Sequence, residues 1–370
     1  MVKLGYFLFV IAILLSLIGV FILYESSTYT AQLSIGNKYY FFQNQAVWLV
    51  LGTIGCFIVS LIDYRRYYKI ALPLLLLTLL LLIVVFLPGI GLELKGAHRW
   101  INFGFTILQP SEILKITLAI YLAAWLSIKE KGRFLAFMML LGLSLVLVIL
   151  EPDMGTAMVV SGTAVIVYFL SGAPSRDMGL IGLLMILAVV GLILIAPYRL
   201  ARLTAFQNFD PHDLSTTSYH VKQILLAVGS GGITGVGFGN SIQKYAYLPE
   251  STTDSIFAIF AEEGGFIGCT VLLGLFLLLF YVGFAIAFET NDMFGKLLGA
   301  GVITFLAIQV FVNVGSQVVL IPLTGVPLPF ISYGGSSLII NLVAIGILMS
   351  IAKHGNKQHK VKSRLIRSTK

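Results

Sequence analysis

Long apolar segments recur along the whole chain and are separated by short polar stretches. Because a helix needs about 20 apolar residues to cross a bilayer, this pattern predicts transmembrane helices. Ten segments qualify, near 5–24, 46–62, 70–88, 113–127, 134–150, 154–171, 178–196, 264–288, 297–320 and 334–352. The first is too long for a signal peptide and further spans follow it, so we expect it to be retained. The pattern therefore predicts an all-α integral membrane protein with about ten transmembrane helices.

The composition supports this prediction. Only 11% of the residues are charged and 58% are hydrophobic, with a mean hydropathy of +0.98, whereas a soluble domain averages about 25% charged residues. Water cannot receive so much apolar surface, but lipid can. The two cysteines, Cys56 and Cys269, lie inside apolar segments, which favours small buried or lipid-facing residues over a disulfide or a metal site.

The positions of Lys and Arg predict the orientation. With both termini in the cytoplasm, the inner side holds 16 of these residues and the outer loops hold seven, in agreement with the positive-inside rule. Seven of the inner ones lie in 353–370. A basic tail beside a membrane favours lipid-surface contact over nucleic-acid binding, despite the net charge of +8. We therefore expect one polytopic membrane domain, 1–352, and a basic cytoplasmic tail, 353–370.

On this topology the concentrated polar, Gly and Pro motifs fall on the extracytoplasmic face. One large extracytoplasmic loop, about 197–263, joins spans seven and eight, and its many aromatic residues argue against disorder. A transporter needs a site reachable from both sides, whereas a site at the outer mouth suits chemistry there. No nucleotide pool is expected outside the cytoplasm. Synthesis on that face therefore requires a substrate that carries its own activation, such as a sugar on a lipid pyrophosphate.

Asp254 is the first candidate for chemistry, within the segment YLPESTTDSIFAIFAEEGG. Ser251 or Thr252 can cap a helix over 252–263, and the two glycines that follow can end it. On that helix Asp254 shares a face with alanines, which leaves space beside the carboxylate. A structural alternative is equally open, because an Asp in a first turn also interacts favourably with the helix dipole.

Two further pairs of charged residues lie at span ends. Glu112 and Lys115 are three residues apart and should be neighbours on one helix face; an ion pair there must face the bundle interior or water. A purely structural ion pair explains them as well. Glu151 and Asp153 flank a proline in a tight turn, and a solvated turn is the alternative to a functional one.

The long outer loop also carries basic residues. Arg199, Arg202, Lys222 and Lys244 could contact phosphate groups, although interfacial snorkelling explains each one taken singly. The Gly-rich segment 229–239 matches neither nucleotide-binding pattern, so its glycines are expected to permit tight turns and close approaches.

Four of these segments together resemble the SEDS glycosyltransferases, the RodA/FtsW family. They are KGAHRWINFGFTILQPSEILK (95–115), EPDMGTA (151–157), YHVKQILLAVGSGGITGVGFGNSIQKYAYLPESTTDSIFAIFAEEGGFIG (219–268) and LIPLTGVPLPFISYGGSS (320–337). Their order, their spacing and the ten-span frame also match, so the similarity covers nearly the whole chain.

The resemblance implies roles for individual residues. The family's essential acidic residue falls on Asp254, and its other charged motif positions fall on Glu112, Lys115, Asp153, Arg99 and Lys244. Two flanking positions depart from the family pattern. Glu151 stands where Gln is usual, and His98 stands where a second Arg is common.

The implied activity is that of a peptidoglycan glycosyltransferase, which polymerises lipid II into glycan strands on the outer leaflet. In the hypothesis, Asp254 acts as general base of an inverting transfer. Arg199, Arg202, Lys222, Lys244 or a divalent cation (Mg or Mn) then meets the charge of the departing diphosphate. The alternatives are a lipid II flippase and a non-catalytic scaffold of the division or elongation complex.

The same resemblance implies a setting. Segments such as NSIQKYAYLPE look closer to the FtsW branch, which acts in cell division, than to the RodA branch, which maintains cell shape. The expected partners are a class B penicillin-binding protein transpeptidase and other divisome or elongasome membrane proteins. The expected location is the bacterial cytoplasmic (inner) membrane.

Overall fold

The structure is a computed structural model that describes residues 1–94, 97–102, 104, 107–128, 130, 132–195, 216–245 and 247–355. It is mostly helical. The helices are α1 (Val2–Ile35), α2 (Tyr40–Leu61), α3 (Arg65–Val84), α4 (Pro110–Leu126), α5 (Phe134–Leu150), α6 (Met154–Leu170), α7 (Ser175–Ile195), α8 (Thr216–Ser230), α9 (Ile256–Glu289), α10 (Met293–Gln317) and α11 (Gly335–His354). Each of the ten predicted apolar segments falls on one of these helices.

Among the described residues, six helices, α1, α2, α3, α9, α10 and α11, are long and apolar enough to cross a membrane, and α5 and α6 are shorter apolar helices. On α3 the apolar residues divide into two faces at helical spacing. The exposed face carries Leu72, Leu76, Leu80 and Ile83, and the buried face carries Ala71, Leu75, Leu79 and Leu82. An apolar face left uncovered by protein is the face that lipid would cover.

α10 occupies the centre of the bundle. Most of its length is buried, and it packs against α4, α6, α9 and α11. The turns around it bring one end of α10 together with the beginnings of α4, α6 and α11. A large cavity opens at this end of the bundle, which we call the cavity end.

A small sheet departs from the all-α prediction. The segment between α3 and α4 forms three antiparallel strands, β1 (Gly91–Leu94), β2 (Ala97–Asn102) and β3 (Ile107–Leu108). Leu92 pairs with Trp100, and Ile101 pairs with Leu108. Along β2 the buried positions are Ala97 and Ile101, as expected for the alternation of a strand. The sheet turns a predicted loop into a fixed wall at the cavity end.

The helix predicted over 252–263 begins later than expected. α9 begins at Ile256, and the preceding residues form a turn in which the amides of Thr253 and Ser255 donate to the carbonyl of Glu250, at 3.1 and 3.0 Å. Ser251 and Thr252, which were expected to cap the helix, lie inside this turn. Asp254 therefore precedes the helix and lies in a turn, where it shares no helical face with alanines.

The predicted end of that helix is a kink. Gly265 has φ 60° and ψ −165° and interrupts α9, which then continues to Glu289. The first part of α9 and the apolar span are thus two segments joined at one glycine. Most of the predicted tail, 356–370, and part of the long loop, 196–215, lie outside the described residues.

Candidate active site

A cavity of about 1470 Å³ opens at the cavity end of the bundle. Its wall is contributed by the sheet, by the first residues of α2, α4, α6 and α11, by the last residues of α10 and by the turn that holds Asp254. The charged residues that line it are Arg99, Glu112, Asp153, Glu250 and Asp254, together with His220. Four of the predicted site residues, Arg99, Glu112, Asp153 and Asp254, are therefore brought to one cavity from four separate parts of the chain.

Asp254 is half-buried, and its main chain is tied to the segment before α11. The side-chain amide of Asn313 donates to the carbonyl oxygen of Asp254 at 2.9 Å and to that of Val326 at 2.8 Å. On the carboxylate side, a Cβ placed on Gly325 would lie 3.4 Å from Oδ2 of Asp254. The carboxylate thus faces bare backbone on one side and the cavity on the other.

Two more hydrogen bonds fix the same turn. The hydroxyl of Ser332 donates to the carbonyl of Thr253 at 2.6 Å, and the amide of Tyr333 donates to the carbonyl of Thr252 at 3.0 Å. Three consecutive carbonyls, 252–254, are therefore held by α10 and by the 326–333 segment. Such a turn keeps a carboxylate in one place through its main chain, which suits a group that has to accept a proton.

Glu112 and Lys115 form the ion pair that their spacing predicts. Nζ of Lys115 lies 2.7 Å from Oε1 of Glu112, and both side chains are almost fully buried. Within the described residues, Oε2 of Glu112 has no hydrogen-bond partner. Glu112 lines the cavity, whereas Lys115 supports it from one turn deeper in α4.

Asp153 is a buried helix cap. Its carboxylate accepts hydrogen bonds from the amide of Thr156 at 2.9 Å and from the hydroxyl of Thr156 at 2.8 Å, at the start of α6. Arg99 closes the same turn, because its guanidinium donates to the carbonyls of Glu151 at 2.8 Å and Pro152 at 2.6 Å. The turn is thus not a solvated one.

Glu151 lies in this turn, and its side chain is fully buried. The pKa of Glu151 is raised to about 9, chiefly by burial and further by the negative charge of Asp153, whereas Arg99 and Ser111 oppose the rise. The side chain is therefore protonated at neutral pH.

The predicted basic residues have different positions. Lys244 is buried away from the cavity, with Nζ at 3.1 Å from Glu263 and 3.6 Å from Glu25. Lys222 is half-buried on α8 and is not among the residues that line the cavity. Arg199 and Arg202 lie outside the described residues.

Sequence reasoning missed His220 and the aromatic wall. Nε2 of His220 lies 2.8 Å from the hydroxyl of Ser255, next to Asp254, and nothing in the sequence relates these two positions. The aromatic residues that line the cavity are Tyr40, Trp48, Trp100, Tyr219 and Tyr333. Flat apolar faces with polar edges suit a ligand that presents both ring faces and hydroxyls.

In the part of the chain that the structure describes, no group of three or more His, Cys, Asp or Glu is arranged to hold a metal ion. The cavity combines a fixed carboxylate, a buried ion pair, a guanidinium and aromatic faces. This arrangement can bind a large amphipathic substrate and remove a proton from it.

The FtsW/RodA/SpoVE family model, described as "Cell cycle protein", matches residues 6–357. The chain belongs to this family. Stage V sporulation protein E of Bacillus subtilis is 36% identical over 353 residues, which cover 94% of this chain and 96% of that protein. A probable peptidoglycan glycosyltransferase FtsW of Geobacter metallireducens is 39% identical over 348 residues, or 92% of each chain.

Solved structures share this fold over almost the whole chain. The rod shape determining protein RodA of Thermus thermophilus has a TM-score of 0.70 at 29% identity, covering 95% of this chain and 97% of that one. A chain of a peptidoglycan synthase complex, described as coordinating polymerization and crosslinking, has a TM-score of 0.77 at 28% identity and covers 95% and 98%. Together with the long apolar helices, these similarities identify a multi-pass membrane protein of the FtsW/RodA/SpoVE family.

Proposed function

We propose that this protein is a peptidoglycan glycosyltransferase that polymerises lipid II, with Asp254 as the general base. Relatives that match nearly the whole chain carry the name of this activity. The observation that carries the assignment is the position of Asp254, a carboxylate at the wall of a cavity of about 1470 Å³ in a turn fixed by hydrogen bonds from α10 and the 326–333 segment.

In the proposed reaction the 4-hydroxyl of the acceptor sugar gives its proton to Asp254. The hydroxyl oxygen then forms a bond to the anomeric carbon of the donor. The bond from that carbon to the lipid diphosphate breaks, and the diphosphate leaves with the electron pair. Because the attack comes from the face opposite the leaving group, the configuration is inverted. One base is sufficient, since diphosphate leaves without protonation, unlike the leaving group of a glycosidase.

The developing charge on the diphosphate requires cations. Arg99 contributes a guanidinium to the cavity wall, and we include it in the proposed site together with the predicted Arg199 and Arg202 of the long loop. A divalent cation, Mg²⁺ or Mn²⁺, would supply the same stabilisation. Such ions are commonly held by one or two carboxylates and by the phosphates of the substrate itself.

The proposed topology has ten spans with both termini in the cytoplasm, so that the cavity end faces the outside of the bacterial cytoplasmic membrane. The neighbour from a peptidoglycan synthase complex supports a transpeptidase partner, which we propose to be a class B penicillin-binding protein in the division or elongation machinery. The activated lipid would enter from the outer leaflet, since no nucleotide is needed on that face.

The test is polymerisation by the purified protein, alone and with its partner, read out as glycan length from lipid II. We expect Asp254→Asn to abolish product while the protein still inserts and remains monodisperse. The matched control is Asp177→Asn, which removes another half-buried carboxylate, bonded to the hydroxyl of Tyr168 at 2.8 Å and far from the cavity. An active Asp254→Asn enzyme would refute the proposed role of Asp254.

The same assay separates the rival functions. A flippase would move lipid II across vesicles without Asp254 and would make no glycan in purified form. A scaffold would tolerate neutralisation of the acidic cavity residues. Chelation followed by addition of Mg²⁺ or Mn²⁺ tests the cation.

A further inference from the structure

The Gly-rich segment packs against the residues of α9 that precede its kink at Gly265. Two adjacent carboxylates, Glu262 and Glu263, are each 2% exposed, and the chain from 231 to 244 folds around them. The backbone amides that could have held a phosphate are used for these carboxylates. We call this unit, residues 231–244 with Glu262 and Glu263, the carboxylate cradle.

The cradle supplies donors to both carboxylates. Glu263 accepts from the amides of Gly239 at 3.2 Å and Ser241 at 3.3 Å, in addition to the ammonium of Lys244 at 3.1 Å. Glu262 accepts from the amides of residues 242 and 243, at 3.2 and 3.4 Å, and from the hydroxyl of Ser241. Buried carboxylates with this many donors are held in one orientation.

The backbone of the cradle is docked on the kink itself. The amide of Phe266 donates to the carbonyl of Gly232 at 2.9 Å, so a group that the kink frees is bonded again. A Cβ on Gly235, whose φ is +79°, would lie 2.0 Å from the carbonyl oxygen of Glu263. Only glycine fits at this position of the loop.

Lys244 joins the cradle to both α9 and α1. Its ammonium bridges Glu263 of α9 and Glu25 of α1, and its side chain is only 8% exposed. Within the part of the chain that the structure describes, Lys244 thus has two carboxylate partners and is not among the residues that line the cavity. This is a poor position for contacting a substrate diphosphate.

The ion pair closes the loop that carries Asp254. Lys244 precedes Asp254 by ten residues and Glu263 follows it by nine, so the pair ties together both ends of the segment with the proposed base in the middle. Resting on the proposed function, we infer that Lys244 and Glu263 are positioning residues that hold the Asp254 turn at the cavity, and that Lys244 acts through Glu263 rather than on the diphosphate.

The experiment is a double-mutant cycle with Lys244→Met, Glu263→Gln and the combined variant, measured as kcat and KM for lipid II per monodisperse protein. We expect each single change to lower kcat, by up to about 100-fold for a displaced catalytic group, with KM within about twofold of the wild type. The combined variant should lose no more than the worse single variant, since both changes remove one interaction. Lys244→Arg should retain most of the activity.

A readout independent of catalysis accompanies the cycle. The amides of Leu248 and Ser255 donate to the carbonyls of Gln243 and Glu250, at 3.1 and 3.0 Å. Hydrogen exchange at these two amides should be faster in Lys244→Met and close to wild type in Lys244→Arg. The control is Asp292→Asn at the opposite end of the bundle, which removes the contact with Arg65 at 3.6 Å. It should lower the melting temperature without changing kcat or this exchange.

Some outcomes would overturn the inference. A rise in KM at constant kcat, seen in Lys244→Met and again in the combined variant, would mean that Lys244 contacts the substrate directly. Multiplying losses in the combined variant, or unchanged exchange, would also refute it. If Lys244→Met does not fold, Glu25→Gln and Lys244→Arg are compared instead, since both are milder changes to the contacts of Lys244. A wild-type protein that makes no glycan would instead count against the proposed function, while the exchange result would still decide the inference.

Discussion

Nε2 of His220 lies 2.8 Å from the hydroxyl of Ser255, the residue that directly follows Asp254. Ser255 is fully buried and occupies the N-cap position of α9, where its side chain makes no capping bond. The hydroxyl is therefore committed to His220, and α8 is tied to the turn that holds the proposed base.

We expect His220→Leu to lower polymerisation by about tenfold or more, because a buried hydroxyl without its partner costs about 1–3 kcal/mol. That cost falls on the turn of Asp254. His220→Gln, which keeps a polar side chain, should lose less. Rates with purified protein and lipid II check this prediction. Ser230→Ala on the same helix removes a local bond to the carbonyl of Ala227 and serves as the control. Equal activity of the Leu variant and the wild type would contradict it.

A second prediction concerns the buried pair of Glu112 and Lys115, whose charged atoms are 2.7 Å apart. Either single neutralisation, Glu112→Gln or Lys115→Met, leaves an uncompensated buried charge and should cost about 3–5 kcal/mol of stability. The combined change should cost clearly less than the two single losses together. Thermal unfolding in detergent measures all three variants. Strictly additive losses would mean that the two side chains do not act as a pair.

The sequence predicts the helices of this protein well because a span is a local property. An apolar run such as 134–150 predicts the helix Phe134–Leu150 directly, since a helix satisfies its own backbone groups in lipid. The pair of Glu112 and Lys115 is also predictable, because residues three apart on a helix are neighbours.

The remaining features depend on contacts between distant parts of the chain. Glu25 and Lys244 meet because α1 packs against α9, and no local pattern encodes that meeting. The start of α9 is displaced by bonds to Glu250, which compete with the capping that the local sequence favours. The strand Ala97–Asn102 is short and flanked by glycines, so its alternation is too brief to be recognised as a strand.

A third prediction concerns Gly325, whose φ is +75° and whose absent Cβ would lie 3.4 Å from Oδ2 of Asp254. Gly325→Ala should cost about 1–2 kcal/mol because the left-handed conformation disfavours a side chain. It should also lower polymerisation by about 3- to 10-fold by crowding the carboxylate. Gly36→Ala is the matched control, with φ +77° and no atom of the described residues within 4 Å of the added methyl. It should lose similar stability and no activity. Equal activities of the two variants would argue against crowding at Asp254.

The last prediction follows from the buried Glu151, whose pKa is raised to about 9 from an ordinary value of 4.5, chiefly by burial. Between these two values the folded state binds one proton more than the unfolded state. Stability of the wild type therefore falls as pH rises through this window, by at most about 1.4 kcal/mol per pH unit. The fall is complete above the folded pKa.

Glu151→Gln has no carboxyl group to titrate, so its stability does not fall in this window. The melting temperature of the variant relative to the wild type should therefore be lowest near pH 5 and should increase up to about pH 9. Glu151→Leu also lacks a titratable group at this position and should follow the same trend from a different starting value. Thermal unfolding in detergent at several pH values measures both variants beside the wild type. A difference that stays constant with pH would mean that Glu151 is ionised in the folded protein. Arg99 and Ser111 would then have to stabilise the carboxylate at least as strongly as burial and Asp153 destabilise it.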